Sequence, residues 1–382
     1  MVRLVRIGKS MLWVANKFAV DPSTVWAWVR RAEGRRLDRV DFASRKPGCA
    51  WNRTAAGTEQ RIIALRHGLR ESVLGEYGAQ AIQRALQAEG PKAVPSLATI
   101  NRVLARQGLQ DGARRTRRPA PPKGWYLPGV AAGRAELDCF DFIEDLKIAG
   151  GPLVSVLTAK SLHGALTDAW VLERSARNAL RCLIERWARD GLPEYAQFDN
   201  DTVFQGAHQF ADTVGRISRL CLALGIVPVF VPPLEHGMQN TIESFNGLWQ
   251  AKVWQRHQVR STDELQARSN AYIAAHRART AQAAETAPPR RLLPEHFEFN
   301  PQAPLRGQMV FIRRTNQRGE VHLLGRHFAV SPDWLHRLVR CEVEFDHHCI
   351  RCFALRRRAP TEQSLLATLD YHRPHKPFQG EL

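Results

Sequence analysis

Long apolar runs are missing from this chain of 382 residues. No stretch is long and apolar enough to cross a bilayer, and the N-terminal MVRLVRIGKSMLWVANKF is too interrupted by charge for a signal peptide. A membrane partner is therefore not expected, and the expected location is cytoplasmic, beside the nucleoid. Cysteine is scarce as well. The seven, at 49, 139, 182, 221, 341, 349 and 352, are odd in number and scattered, which argues against a disulfide framework. HHCIRC, at 347–352, crowds its candidate zinc ligands together where a tetrahedral site usually draws on separated pairs, so it is expected to be ordinary hairpin sequence. The third shortage is acid: 37 Asp and Glu stand against 55 Lys and Arg, a formal net charge of +18. Such an excess makes a phosphate backbone the natural partner, through counterion release.

What is present describes a folded protein with real cores, 44% hydrophobic and 24% charged, long enough for about two to four domains. Residues 10–31, SMLWVANKFAVDPSTVWAWVRR, have the pattern of a helix–turn–helix. Asp21-Pro22-Ser23 supplies cap chemistry and a first-turn proline. Val25, Trp28 and Val29 recur at helical spacing and face inward, leaving Ser23, Thr24, Ala27 and Arg30 outward, as a recognition helix requires. A second unit of this kind spans about 58–109. Its third helix starts at the cap Ser96, with Ile100, Val103 and Leu104 inward and Thr99, Asn101 and Arg102 available to DNA. The linker DGARRTRRPAPPKGW follows, with Arg114, Arg115, Arg117 and Arg118 ahead of prolines. It is expected to be extended and exposed, suited to a DNA groove.

Residues 134–255 change character. RAELDCFDFIED, PLVSVLTAKS and HGALTDAWVLE predict three consecutive strands. SARNALRCLIERWARDG predicts a helix, YAQFD a strand, HQFADTVGRISRLCLALG a helix, IVPVFVPP a strand and MQNTIESFNGLWQAKVW a helix. The order βββαβαβα implies a mixed sheet with helices on its faces. From about 305, short runs such as GQMVFIRR, RHFAVSP and LVRCEVEFD suggest a small β-barrel or sandwich.

In a chain short of acid, QFDNDTVFQG places Asp199 and Asp201 at the end of an apolar strand. Unpaired charge there is costly. Asp138 falls in the first strand, and Glu243 flanks the apolar stripe Met238, Ile242, Phe245, Trp249 and Val253 of the last helix. Three acids from these elements could share a crevice beyond the strand ends. Clustered carboxylates make sense mainly around hard divalent cations, and a pair of such ions can drive in-line attack on a phosphodiester.

ELDCFDF, FDNDTVF and NTIESFNG, in this order on this pattern, resemble the integrase core of DDE transposases and retroviral integrases; the tandem helix–turn–helix units make the likeness greatest to bacterial insertion-sequence transposases. The resemblance implies a multidomain protein: helix–turn–helix units at 1–50 and 55–112, a basic linker at 113–128, an α/β ribonuclease-H-like catalytic core at 129–285, a small β-barrel at 300–360 and a tail at 361–382. It implies two Mg²⁺ or Mn²⁺ ions held by Asp138, Asp199 and Glu243, double-stranded terminal-repeat and target DNA as partners, and a homo-oligomeric synaptic complex. Asn246 and Lys252 are expected near the scissile DNA. The family usually has Asp-Asn-Gly where this chain has Asp199-Asn200-Asp201. Glu235 competes for the third acid, since 235 − 199 = 36 is a common family spacing, whereas Glu243 has the rigid helical placement that metal geometry needs. Two other readings stay open: a catalytically inactive DNA-binding relic, and a nuclease that cuts without joining.

Overall fold

The structure, a computed structural model, describes residues 1–40, 54–90, 93–110, 122–207, 210–232, 235, 237–374 and 378. It divides into two compact units, Met1–Glu59 and Gln60–Leu382. In the first, α1 (Val2–Arg6), α2 (Met11–Phe18) and α3 (Pro22–Arg31) enclose Val14, Ala15 and Val25. The Ser10 hydroxyl caps α2 by accepting from the Trp13 amide (3.2 Å), and the Asp21 carboxylate caps α3 by accepting from the Ser23 amide (2.8 Å). These side chains satisfy N–H groups that a helix start leaves without partners.

The helix α4 (Ala56–Glu71) crosses the boundary between the two units, and α5 (Ala79–Ala88) and α6 (Leu97–Arg106) follow in the second unit. Ile62, Ile82, Leu86, Ile100, Val103 and Leu104 form their shared core. After α7 (Pro128–Ala131) come β1 (Leu137–Lys147), β2 (Leu153–Ser161), β3 (Thr167–Leu172), α8 (Ala176–Asp190), β4 (Tyr195–Phe198), α9 (Thr202–Gln205), α10 (Arg216–Ala223) and β5 (Val227–Phe230). The helix α11 (Asn240–Trp249) runs on into a π-helical turn, Gln250–Trp254, and α12 (Thr262–Glu285) follows. The remainder is β6 (Gln308–Arg314), β7 (Glu320–Leu323), β8 (Arg326–Ala329), β9 (Leu338–Glu344), β10 (Cys349–Ala354) and β11 (Leu365–Asp370).

Nine of these strands form one mixed sheet in the order β11-β10-β9-β6-β5-β4-β1-β2-β3, and β7 pairs with β8 alone. β1, β2 and β3 are antiparallel neighbours, while β4 and β5 run parallel to β1. Side chains alternate across a strand, so each face has its own core. On one face Phe140, Leu183, Trp187, Phe198, Phe230 and Phe311 pack with α8 and α10; on the other Leu137, Cys139, Ile143, Val229, Ile242, Phe245 and Trp249 pack with α11 and α12.

Three expectations are corrected here. The C-terminal strands do not close a separate barrel: β6 pairs in parallel with β5, and β9, β10 and β11 extend the same sheet. Phe140, Phe198, Phe230 and Phe311 stand ring beside ring across β1, β4, β5 and β6, with centroids 5.3, 5.9 and 5.4 Å apart. Burying each ring stabilises by about 1.5–3 kcal/mol, so the seam between core and extension is apolar and continuous. The expected tail from 361 contains β11. Within the expected exposed linker, residues 111–121, with Arg114, Arg115, Arg117 and Arg118, lie outside the described residues. Trp125, Tyr126 and Leu127 after them are buried, and the Tyr126 hydroxyl donates to Gln197 Oε1.

Candidate active site

The parallel register of β1 and β4 pairs Leu137 with Tyr195, Asp138 with Ala196 and Cys139 with Gln197. Continued at the same offset (195 − 137 = 58), it sets Asp141 against Asp199 at the C-terminal end of β4, where open parallel strands leave a crevice. Alternation decides the face. Asp141 shares parity with Cys139 and Ile143, which pack toward α11; Asp138 shares parity with Phe140, which packs toward α8. The helix carrying Glu243 therefore covers the face of Asp141, and Asp138 points away from it.

Asp138 is fully buried among cations. It accepts from Arg186 Nε (3.0 Å) and Nη2 (3.2 Å), from Arg290 Nη1 (3.0 Å) and Nη2 (2.7 Å) and from Trp187 Nε1 (3.3 Å). Burial alone would raise its carboxyl; the Arg186 and Arg290 guanidiniums overcome that and hold it well below the usual carboxylate range. The network continues through Asp168 and Asp190 to Arg189 and Arg277, joining β1, β3, α8 and α12. The expected role of Asp138 as a metal ligand is corrected: its oxygens are committed to two guanidiniums, and it belongs to the structural core.

Asp141 has the opposite environment. Burial, then the negative charge of Asp199 and, more weakly, that of Glu243 push its carboxyl up to about 7. Asp199 is raised as well, by burial first and Asp201 next. Glu243, in the first turn of α11, is exposed, and one turn on Asn246 is buried. The Asn246 amide donates to Asp141 Oδ2 (2.7 Å) and its Oδ1 accepts from the Thr158 hydroxyl (2.7 Å), which fixes how the carboxylate lies. Expected at the DNA, Asn246 is instead a buried partner of Asp141.

The Asp-Asn-Asp turn is fastened residue by residue. Asp199 Oδ1 accepts from the Asp201 amide (3.0 Å). Asp201 caps α9 by accepting from the Val203 amide (2.7 Å) and pairs with Arg174, which also holds Glu144 at 2.6 Å. Asn200 donates to the Val231 carbonyl (2.6 Å) and accepts from Arg313 Nη2 (2.9 Å) on β6. Asp201 is thus occupied as cap and ion-pair partner. Glu235 is occupied too, by Arg314 at 2.5 Å and Arg357 at 3.1 Å.

Oxygen-only donors that repel one another suit a hard dication such as Mg²⁺ or Mn²⁺. Among the described residues no three His, Cys, Asp or Glu stand together as a metal cage; Asp199 and, more weakly, Glu243 lie near enough to Asp141 for their charges to raise its carboxyl.

The expected DNA-reading residues divide. Ser23 and Arg30 are exposed on α3, Arg30 lying 5.1 Å from the Trp26 ring, and Thr24 is half-buried. Asn101 and Arg102 are exposed on α6, whereas the Ser96 and Thr99 hydroxyls bond each other (3.0 Å) at its cap. Lys252 is corrected: its ammonium donates to the Gly75 carbonyl (2.9 Å) and docks the α4–α5 turn on the core. Sequence reasoning missed Asp141, Thr158, Arg174 and Arg313. Of these only Asp141 stood in a singled-out motif, ELDCFDF, which holds a second aspartate, Asp138, on the opposite face.

No protein-family model and no curated protein matches the chain. Among solved structures, a chain of the simian T-cell lymphotropic virus intasome is similar at 10% identity, over 77% of this chain and 96% of that one, with a TM-score of 0.33. The catalytic core domain of BIV integrase is similar at 17% identity, over 36% of this chain and 81% of that domain, with a TM-score of 0.27. Likenesses this faint carry no functional weight.

Proposed function

We propose that the chain is a DNA strand-cutting and strand-joining enzyme of the DDE type, a transposase acting on the terminal repeats of a mobile element, with Asp141, Asp199 and Glu243 as its metal-holding acids. The observation that carries this reading is the placement of three acids, Asp141 on β1, Asp199 just after β4 and Glu243 on the helix over that sheet face, near enough that burial and the charges of Asp199 and Glu243 push the Asp141 carboxyl up to about 7. The topology β3-β2-β1-β4-β5, with β1, β4 and β5 parallel, is the order a ribonuclease-H-like core requires, and it supports the same reading.

Bound by these oxygens, one or two dications would polarise a phosphodiester and activate a water or 3′-hydroxyl. The protein's part is positional. Asn246, braced by Thr158, sets the angle of the Asp141 carboxylate, and Arg313 and the Asp201 cap fix the turn bearing Asp199. The exposed Ser23 and Arg30 on α3, and Asn101 and Arg102 on α6, supply the DNA contacts of the proposal, with a surplus of cations to meet phosphate. Thr24, Ser96, Thr99 and the arginines at 114, 115, 117 and 118 are carried in it on sequence grounds. A homo-oligomer that pairs two element ends belongs to it on the same grounds.

The test is Mn²⁺-dependent cleavage and joining of duplexes taken from the flanking repeats of the gene. Asp141→Asn, Asp199→Asn and Glu243→Gln should each lose about 10²- to 10³-fold, as expected when a charge-stabilising group is removed, while Glu235→Gln keeps cutting. Wild-type protein that binds those ends and never cuts would make the chain a DNA-binding relic. Cutting without joining would make it a nuclease.

A further inference from the structure

The Glu235 carboxylate sits in a cavity of about 340 Å³ lined by Arg314, Trp334, Arg337, Arg356 and Arg357. Trp334 forms a fixed wall: it is 6% exposed and donates through Nε1 to the Leu338 carbonyl at 3.0 Å. The Arg337 and Arg356 guanidiniums lie 4.8 and 5.1 Å from its ring, and Arg314 is anchored through Nη1 to the His336 carbonyl at 2.7 Å. Glu235 divides its two oxygens between two forks, Oε2 to Arg314 and Oε1 to Arg357. Four guanidiniums thus line a cavity whose lining holds one carboxylate, a surplus of 4 − 1 = 3 positive charges among the lining side chains. Exposed Glu362, 3.7 Å from Arg356, only partly offsets it.

A carboxylate shared by two arginines on an aromatic wall has the chemistry these groups offer a phosphate. We propose that this cavity is a phosphate-binding site for the backbone of duplex DNA, and that Glu235 is an internal stand-in that a phosphodiester displaces. The inference rests on the reading above only for the identity of the polymer. Glu235 lies in the segment joining β5 to α11, eight residues before Glu243 (243 − 235 = 8).

A stand-in makes an unusual prediction: removing it improves binding. Affinity for a labelled 30-base-pair duplex, measured by anisotropy in EDTA over a salt series, should rise about 5- to 10-fold in Glu235→Gln. The slope of log K against log salt should steepen by about one. Arg314→Ala and Arg357→Ala should each weaken binding about 3- to 10-fold and flatten the slope by about one. The gain from Glu235→Gln should vanish in an Arg314→Ala/Arg357→Ala background. Glu295→Gln, an exposed acid remote in sequence from the cavity residues, controls for net charge. An equal gain there, or a gain that survives loss of both arginines, overturns the proposal. Inorganic phosphate added at constant ionic strength separates the sources, because erasure of the Glu235→Gln gain would mean a site for the free ion, not the diester. A poly-glutamate peptide that competes as well as DNA would overturn it in favour of an acidic partner. The measurement needs no catalysis. Wild type that never cuts while Glu235→Gln tightens binding sinks the enzyme reading alone, and cutting with no Glu235 effect sinks this one alone.

Discussion

Asp138 and Asp141 stand three residues apart on one strand and live under opposite electrostatics. Asp138 lies on the α8 face with two guanidiniums and an indole on its oxygens, and is held well below the usual carboxylate range. Asp141 lies on the α11 face with two further acids and an amide, and is pushed up to about 7. The backbone is the same and the alternation of a pleat separates the two. One face has spent its charge on holding the fold together; the other keeps acids that repel one another, which costs stability. Neutralised acids are structural, and acids left to repel one another are candidates for chemistry.

The largest effect should come from breaking the first member of the pair. Asp138→Asn leaves Arg186 and Arg290 buried without their shared anion, and breaking such a pair costs about 3–5 kcal/mol. Urea unfolding should show that loss, whereas Asp141→Asn should leave stability within about 1 kcal/mol of wild type or raise it, since it relieves repulsion. Equal losses in both variants would remove the distinction between the faces. The acid side carries a sign. Because the folded-state pKa of Asp138 is depressed, its contribution is present above the ordinary carboxylate pKa of about 3.9 and is lost as pH falls through that value and on toward the folded one. The stability profile of Asp138→Asn should therefore be flatter than that of wild type below about pH 4.

Next in size are the residues that hold the second face in position. Asn246→Ala removes the donor to Asp141, and Arg313→Gln removes the fork that fixes Asn200 beside Asp199. Neither touches the metal in this reading, and loss of such supporting groups typically costs about 10- to 100-fold in metal affinity. Mn²⁺ titration followed by electron paramagnetic resonance should show that weakening. For Arg313→Gln, amide exchange in 200–205 should accelerate ahead of the rest of the core. Exchange that rises uniformly would make Arg313 a general core residue with no special hold on the turn.

Much of this was legible in the sequence, for reasons that differ by element. The helix expected over SARNALRCLIERWARDG runs over Ala176–Asp190, and YAQF and VPVF form β4 and β5. These signals are local. The choice between Asp138 and Asp141 depended on which face α11 covers, a tertiary fact; the motif ELDCFDF offers two aspartates, and only register distinguishes them. The barrel expectation failed similarly. Met309, Val310, Phe311 and Ile312 are all buried, the mark of a strand covered on both faces, so the run MVFI already favoured a central strand over a half-exposed barrel strand. That its partner would be β5, about eighty residues earlier (308 − 230 = 78), no local pattern could say. Lys252 and Asn246 were misassigned because their polar types suit a DNA surface equally well, and their partners, Gly75 and Asp141, lie far along the chain.

Lys252 provides the smallest and sharpest contrast between a cation that meets DNA and one that meets the protein itself. Its ammonium donates to the Gly75 carbonyl and lies 5.6 Å from the Tyr77 ring, while Arg256 donates to the Ser72 carbonyl at 2.6 Å. Together they pin the α4–α5 turn to the end of α11. A hydrogen bond from a charged donor contributes about 1.5–3 kcal/mol at most, and part-exposed Lys252 retains water as an alternative, so Lys252→Gln should cost about 1 kcal/mol. Amide exchange over 72–77 should speed up several-fold, and affinity for DNA should stay within about twofold of wild type with its salt slope unchanged. A phosphate-contacting lysine would behave in the opposite way, lowering the slope by about one and leaving exchange in 72–77 alone. The two readouts therefore assign Lys252 to one role or the other, and with it the cause of the α4–α5 turn's attachment to the end of α11.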